Sequence, residues 1–225
     1  MPEGGLEHRL EHLYAHRFSP EERRRKAQLW QTLCRHAFQR FIPADATVID
    51  LGAGYCDFIN AIHAARKIAV DLNPETARSA DSGVQVIPCA LDHLAQHVDP
   101  ESVDCAFASN VFEHLRDPET LLDVLNAVHG ILRPGGRILI MQPNVRVLGG
   151  AFWDFLDHRL PLSERGMAEA LALSGFRLER VTPRFLPYTT KSRLPAWPWL
   201  VRVYLAVPPA QWLFGKQMLV IARKS

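Results

Sequence analysis

The chain has 225 residues, 48% hydrophobic and 22% charged, which suits one domain with additions and a sizeable core. With 26 Lys and Arg against 24 Asp and Glu, the net charge is +2, so the overall balance announces neither nucleic acid nor an anionic membrane. No stretch approaches the roughly 18 apolar residues of a spanning helix, Cys34, Cys56, Cys89 and Cys105 form no CxxC or zinc spacing, and the polar first residues carry no signal-like apolar run. These features exclude collagenous, disulfide-stapled and membrane-spanning classes and lead us to expect a cytoplasmic globular protein.

Residues 1–18 are polar, rich in His and Arg, and show no clean period. Ser19-Pro20-Glu21-Glu22 reads as a capping box with proline at the first helical position. Leu29, Trp30, Leu33, Ala37, Phe38 and Phe41 recur at three- and four-residue spacing, predicting an amphipathic helix to about Phe41. Arg23-Arg24-Arg25-Lys26 in its first turns reads as a solvated basic face, with contact to RNA or acidic lipid as the alternative. Residues 1–44 are therefore expected to form a helical extension or cap, and residues 45–225 the main domain.

From Thr47 onward short apolar runs alternate with helical segments, as a parallel α/β sheet requires. Strands are expected over Thr47–Leu51, Lys67–Asp71, Val84–Ile87, Val103–Ala108, Arg137–Gln142, Phe176–Val181 and Gln217–Ala222. Helices are expected over Cys56–Ala65, Pro74–Ala80, Leu91–His97, Pro118–Leu132 and Ser163–Ser174. Asp117 caps the fourth of these, and Arg133-Pro134-Gly135-Gly136 ends it. A long Pro- and Trp-rich insertion precedes the last strand, so a final hairpin-like pair is expected on an otherwise parallel sheet.

Val48-Ile49-Asp50-Leu51-Gly52-Ala53-Gly54 runs an apolar strand into Gly-x-Gly and a helix. The first glycine permits a tight turn and the second lets a ligand approach the backbone. Asp57 stands where a dinucleotide fingerprint has its third glycine, which argues against a pyrophosphate there. Asp71, at the tip of the second strand, can accept hydrogen bonds from both hydroxyls of a ribose. Ser109-Asn110 ends the fourth strand, and Glu113-His114 follows in a short turn, where His114 is either a base or a structural element of the loop.

Asp50-Leu51-Gly52-Ala53-Gly54-Tyr55, Val70-Asp71-Leu72-Asn73-Pro74, Ser109 to Pro118 and Leu132 to Arg137 together resemble the successive motifs of class I S-adenosylmethionine-dependent methyltransferases, over roughly residues 45–143. The resemblance implies a doubly wound, mostly parallel, seven-stranded Rossmann-like α/β sheet with an N-terminal helical cap. It implies S-adenosylmethionine as cofactor and S-adenosylhomocysteine as product. Gly52, Ala53 and Gly54 would lie against the methionine portion, Asp50 would act through the loop on its amino group, Asp71 would bind the ribose and Leu72 would stack on adenine. The adenine amino group would be met by Asp92 or by the Ala90 and Leu91 backbone, and Ser109 and Asn110 would lie beside the methyl-bearing sulfur. Cys56 stands where that family usually has glycine.

Loop 144–162 joins aromatic rings to ionisable groups, and insertion 184–214 interleaves aromatic rings with Arg184, Lys191, Arg193 and Arg202. Both are read as lid or acceptor-binding elements, with Asp157 and His158 the polar contacts in the first; plain packing is the alternative for each. Asp154, Asp157 and His158 are spaced too irregularly for a metal-ligand motif, and no metal is expected. The expected activity is methyl transfer to a small-molecule acceptor, including a lipid-linked or glycan precursor, without nucleic acid and with peripheral membrane contact left open. A catalytically silent cofactor-binding protein of the same fold and an NAD-dependent oxidoreductase are the alternatives, the second disfavoured also by the lack of a Tyr-x-x-x-Lys constellation.

Overall fold

A computed structural model describes residues 20–188 and 197–225. Ser19 of the expected capping box and the insertion residues Lys191 and Arg193 lie outside the described residues. Seven strands make one sheet: β1 (Thr47–Leu51), β2 (Arg66–Val70), β3 (Val84–Ile87), β4 (Val103–Ser109), β5 (Leu132–Pro143), β6 (Phe176–Leu186) and β7 (Gln217–Lys224). Their order is β3-β2-β1-β4-β5-β7-β6. The pairs from β3 through β5 are parallel, whereas β7 runs antiparallel to both β5 and β6. The expected α/β class, mostly parallel sheet and terminal antiparallel pair are therefore present. The β1, β4, β5 and β7 cores are buried on both faces, which is why they read as continuous apolar runs rather than alternating ones.

One face of the sheet is covered by the short helical segment Leu91–Gln96, α4 (Pro118–Ile131) and α6 (Glu164–Leu173). The other is covered by α1 (Pro20–Leu33) and α2 (Asp57–Ala61). The remaining helices are α3 (Glu75–Ser79), α5 (Val145–Leu148), α7 (Pro198–Ala206) and α8 (Pro208–Phe214). Phe58 and Phe107 stack at 3.7 Å, and Trp30 and Phe38 meet them edge-on, so the N-terminal helix shares an aromatic core with β4.

Several boundaries differ from expectation, each for a local reason. The helix expected to reach Phe41 changes winding: a wider five-residue turn, Cys34–Phe38, follows α1 and buries Cys34, Ala37 and Phe38 together, before the tight turn Gln39–Phe41. The helix expected over Cys56–Ala65 spans five residues, because the chain turns extended at Ile62 and the amides of Ala65 and Arg66 donate to the Ala46 carbonyl to start β2. Leu91–Gln96 winds as a tight three-residue-per-turn helix. Arg133 to Gly136 do end α4, but as a bulge inside β5, since Leu132 pairs with Val103 and Arg137 with Cys105. β6 extends five residues beyond the expected Val181. Asp117 and Ser163 cap α4 and α6, accepting from the Thr120 and Gly166 amides at 2.8 and 3.1 Å.

Candidate functional site

The strand order reverses between β1 and β4, the place where an open α/β sheet forms its ligand crevice at the carboxyl edge. The loops that follow those two strands meet there. Gly52 has φ +69°, and a Cβ on it would stand 2.4 Å from Val111 Cγ2, so glycine is required both by conformation and by close approach. Gly54, at φ +51°, has nothing within 4 Å of where a Cβ would be, so its outer side faces open space. Cys56 (φ +60°) and Asn110 (φ +51°) are non-glycine residues in the left-handed region, one in each loop. Such strain collects at ligand sites, and it explains why position 56 favours glycine.

The glycine turn is tied to β2 throughout. The Gly52 and Ala53 amides donate to the Val70 carbonyl at 2.8 and 3.1 Å, and the Gly54 amide donates to Asp71 Oδ2 at 2.7 Å. Asp71 Oδ1 accepts from the Asn73 amide at 2.8 Å. Each carboxylate oxygen keeps a second lone pair for another donor. Leu72, the next residue, is 67% exposed at the rim although strongly apolar. Asp50, by contrast, is 3% exposed beneath the loop. Burial, with Asp71 and Asp57 nearby, pushes its carboxyl well above the ordinary range, against a hydrogen bond from the Ile59 backbone. Its place is inside the turn rather than at the open surface.

Across the crevice, the tip of β3 leads to Ala90 and Leu91, both half-buried, and to exposed Asp92. At the end of β4 the Asn110 amide nitrogen Nδ2 donates to Ser109 Oγ at 3.0 Å, and the Asn110 backbone N–H donates to the Met141 carbonyl at 2.9 Å. The basic turn of α1 lies against the glycine loop: Lys26 pairs with Asp57 at 3.0 Å, and Arg23 sits 4.1 Å over the Tyr55 ring. Arg23 and Lys26 thus depart from the expected solvated basic face, whereas Arg24 and Arg25 are exposed as expected, and Lys26 neutralises the Asp57 charge. Burial pushes the Cys56 and Cys105 thiols up to about 12, so both are inert packing groups.

The turn after β4 and the loop after β5 come together. The Arg159 and Leu160 amides donate to the Glu113 carbonyl at 2.8 and 3.0 Å. His114 Nδ1 lies 3.0 Å from the Asp157 carbonyl and 3.7 Å from its carboxylate, and His158 Nδ1 lies 2.8 Å from the Phe152 carbonyl. The two imidazole rings meet edge-on at 5.2 Å, so His114, Asp157 and His158 form one cluster. Glu113 is 2% exposed, and burial pushes its carboxyl up to about 7 despite the pull of His114. Phe155 stacks on His158 at 5.1 Å, and Tyr188 meets Phe155 edge-on at 5.8 Å, so the loop and the start of the insertion share an aromatic wall.

Three contributors go beyond the site residues expected from the sequence. Glu113 stands in the sequence only as part of the short turn with His114. Gln142, 1% exposed at the end of β5, has neither side-chain polar atom hydrogen-bonded. Asn144 is fully buried; its Nδ2 donates to Glu164 Oε2 at 2.7 Å and to the Pro183 carbonyl at 3.0 Å, while its Oδ1 caps α5. A polar pair directly after an apolar strand, Gln142 and Asn144, was the available signal.

The insertion helices α7 and α8 pack on the α1 side and against β6, with the Tyr204 hydroxyl donating to the Phe185 carbonyl at 3.0 Å. Between them and β6 is a cavity of about 560 Å³ lined by His36, Arg40, Arg180, Arg184 and Trp212 among others. None of the positive-φ residues that mark the switch point lines it, and we take the switch point as the ligand site. Among the described residues no helix is long and apolar enough to cross a membrane.

The family described as Methyltransferase domain matches residues 19–185. No curated protein matches the sequence. Among solved structures, a S-adenosylmethionine-dependent methyltransferase from Archaeoglobus fulgidus is 21% identical with a TM-score of 0.65, over 88% of this chain and 94% of its own. A chain from the complex between the Trm112 methyltransferase activator and a methyltransferase of Haloferax volcanii is 18% identical with a TM-score of 0.68, over 95% and 96%. Geranyl diphosphate C-methyltransferase from Streptomyces coelicolor A3(2) is 18% identical with a TM-score of 0.58, over 87% and 78%. At these identities the likeness is one of fold.

Proposed function

The chain belongs to the methyltransferase-domain family, and on that premise we propose that it transfers a methyl group from S-adenosylmethionine to a small-molecule acceptor. The observation that carries this reading is the glycine turn fastened to Asp71 at the switch point, with Gly54 open to the crevice. The residues fit the cofactor: Gly52, Ala53 and Gly54 offer a side-chain-free wall, Asp71 retains acceptor capacity for two ribose hydroxyls, and exposed Leu72 offers an apolar face to a base. Asp50 acts from below, holding the turn. Ala90, Leu91 and Asp92 border the adenine end, and Ser109 and Asn110 the sulfur end.

When bound, the cofactor supplies an electrophilic methyl group on a sulfonium. The chain's own task is then alignment and exclusion of water. Asn110, held in a strained conformation by its bond to Met141, presents a polar side chain at the β4 tip. The cluster of His114, Asp157 and His158 borders the acceptor side of the crevice, and Phe155 with Tyr188 shields it. Calorimetric titration with S-adenosylhomocysteine, followed by transfer assays against candidate acceptors, tests the reading; cofactor binding with no transfer to any acceptor would favour the silent alternative. The nicotinamide reading is set aside by family membership.

A lipid-linked acceptor is favoured by one feature of the insertion. Trp199, Trp212, Leu213 and Phe214 are exposed on α7 and α8, and Trp212 lines the arginine-bearing cavity. Aromatic rings next to cations suit the interface of an anionic membrane. Co-sedimentation with anionic vesicles, lost in Trp212→Ala, is the expected result.

A further inference from the structure

Glu113, His114 and His158 offer ligand atoms that all lie within 4.8 Å of one another, although the two histidines stand 44 positions apart in the chain. Two independent features mark this cluster. Both imidazoles are anchored through Nδ1 to backbone carbonyls, His114 to Asp157 and His158 to Phe152. An Nδ1–H given to a carbonyl places the ring's lone pair on Nε2, which is how metal-ligating histidines are held. Glu113 Oε2 is buried with no hydrogen-bond partner, although the backbone around it is fixed by the Arg159 and Leu160 amides. A buried carboxylate oxygen without a donor is costly unless something else meets it.

We propose that Glu113, His114 and His158 bind one divalent transition-metal ion of the zinc class. Two imidazoles and one carboxylate suit Zn²⁺ or Co²⁺, whereas Mg²⁺ and Ca²⁺ select oxygen donors throughout. Ligand bonds of about 2.0–2.2 Å in a tetrahedral site put ligand atoms about 3.4 Å apart, so the three atoms must close by up to about 1.4 Å. Asp157, whose carboxylate lies 3.7 Å from His114 Nδ1, is a positioning residue that acts through that ring. The ion joins the turn after β4 to the loop after β5, reinforcing the link already made by the Glu113 carbonyl. Three protein ligands leave a fourth position for water or an acceptor oxygen; that last role rests on the methyltransferase reading, and it selects acceptors bearing a hydroxyl or carboxylate at the reacting end.

The test uses the tag-free full chain, stripped with chelator and titrated with Co²⁺ and with Zn²⁺ alone. Stoichiometric binding is expected, with the visible bands of a low-coordinate Co²⁺ site. Glu113→Gln and His158→Gln should each weaken Zn²⁺ binding by about 100-fold or more, and Asp157→Asn by about 10-fold. S-Adenosylhomocysteine titration of the same variants reports that each is folded. Absence of saturable Zn²⁺ binding in the wild type overturns the proposal. So does unchanged affinity in whichever of the two ligand variants folds. Metal binding without cofactor binding would leave this site standing and overturn the methyltransferase reading, whereas cofactor binding without metal would overturn this proposal alone.

Discussion

The Gly54 amide donates to Asp71 Oδ2 at 2.7 Å, joining the turn after β1 to the tip of β2 across 17 residues of sequence. The carboxylate proposed to receive the ribose is therefore also the clamp that shapes the turn under the methionine portion. Donors on both sides hold Asp71 in one orientation before any ligand arrives, which lowers the entropy lost on binding.

Asp71→Ala should weaken S-adenosylhomocysteine binding by about 2–5 kcal/mol, the worth of two hydrogen bonds to a charged group. Because the Gly54 and Asn73 amides also lose their acceptor, the unfolding temperature should fall as well. Calorimetry and a thermal melt read the two effects separately, and an unaltered Kd would remove Asp71 from the cofactor site.

The two glycines should fail differently. Gly52→Ala meets Val111 and a left-handed backbone, for an expected loss of about 2–4 kcal/mol in stability. Gly54→Ala has room and should cost about 1–2 kcal/mol, but its methyl enters the crevice and should reduce cofactor affinity. Val111→Ala should recover part of the Gly52→Ala loss in a denaturant double-mutant cycle; strict additivity would show that the contact is not the cause.

Asn144→Ala should destabilise by about 2–4 kcal/mol, since it deletes a cap on α5 and leaves Glu164 Oε2 and the Pro183 carbonyl without this donor. Urea unfolding measures it.

Glu179 on β6 sits between Arg137 of β5, at 2.8 Å, and Arg223 of β7. Burial alone would raise its carboxyl, but the two guanidiniums outweigh burial and hold it below the ordinary range. A depressed folded-state pKa contributes stability that is present above the unfolded pKa and lost as pH falls through the folded one. Wild type should therefore be more stable than Glu179→Gln at neutral pH, and the two should converge as acid takes the pH below the ordinary carboxylate range. A gap that persists in strong acid would point to packing instead.

The strands and the crevice were legible because each signal was local. An apolar run ending in Asp50-x-Gly-x-Gly, or in Asp71-x-Asn-Pro, carries both its strand and its turn within ten residues. Leu121, Leu125 and Val128 likewise announced α4 by spacing, and all three are buried. What depended on distant contacts was hidden. The wider turn at Cys34–Phe38 follows from fitting Phe38 against Phe107 and Phe185, which propensity does not contain. The pairing of Lys26 with Asp57 spans two elements, so the basic run looked merely solvated. His158 was paired in the sequence with its neighbours Asp154 and Asp157, whereas the fold brings it to Glu113 and His114; irregular spacing along one loop said nothing about a cluster built from two.

Titration of the purified chain with S-adenosylhomocysteine and, in parallel, with NAD tests the central claim most directly. The account predicts saturable, stoichiometric binding of S-adenosylhomocysteine that is lost or strongly weakened in Asp71→Ala, and no comparable binding of NAD. Failure of folded wild-type protein to bind S-adenosylhomocysteine, or a preference for NAD, would contradict it.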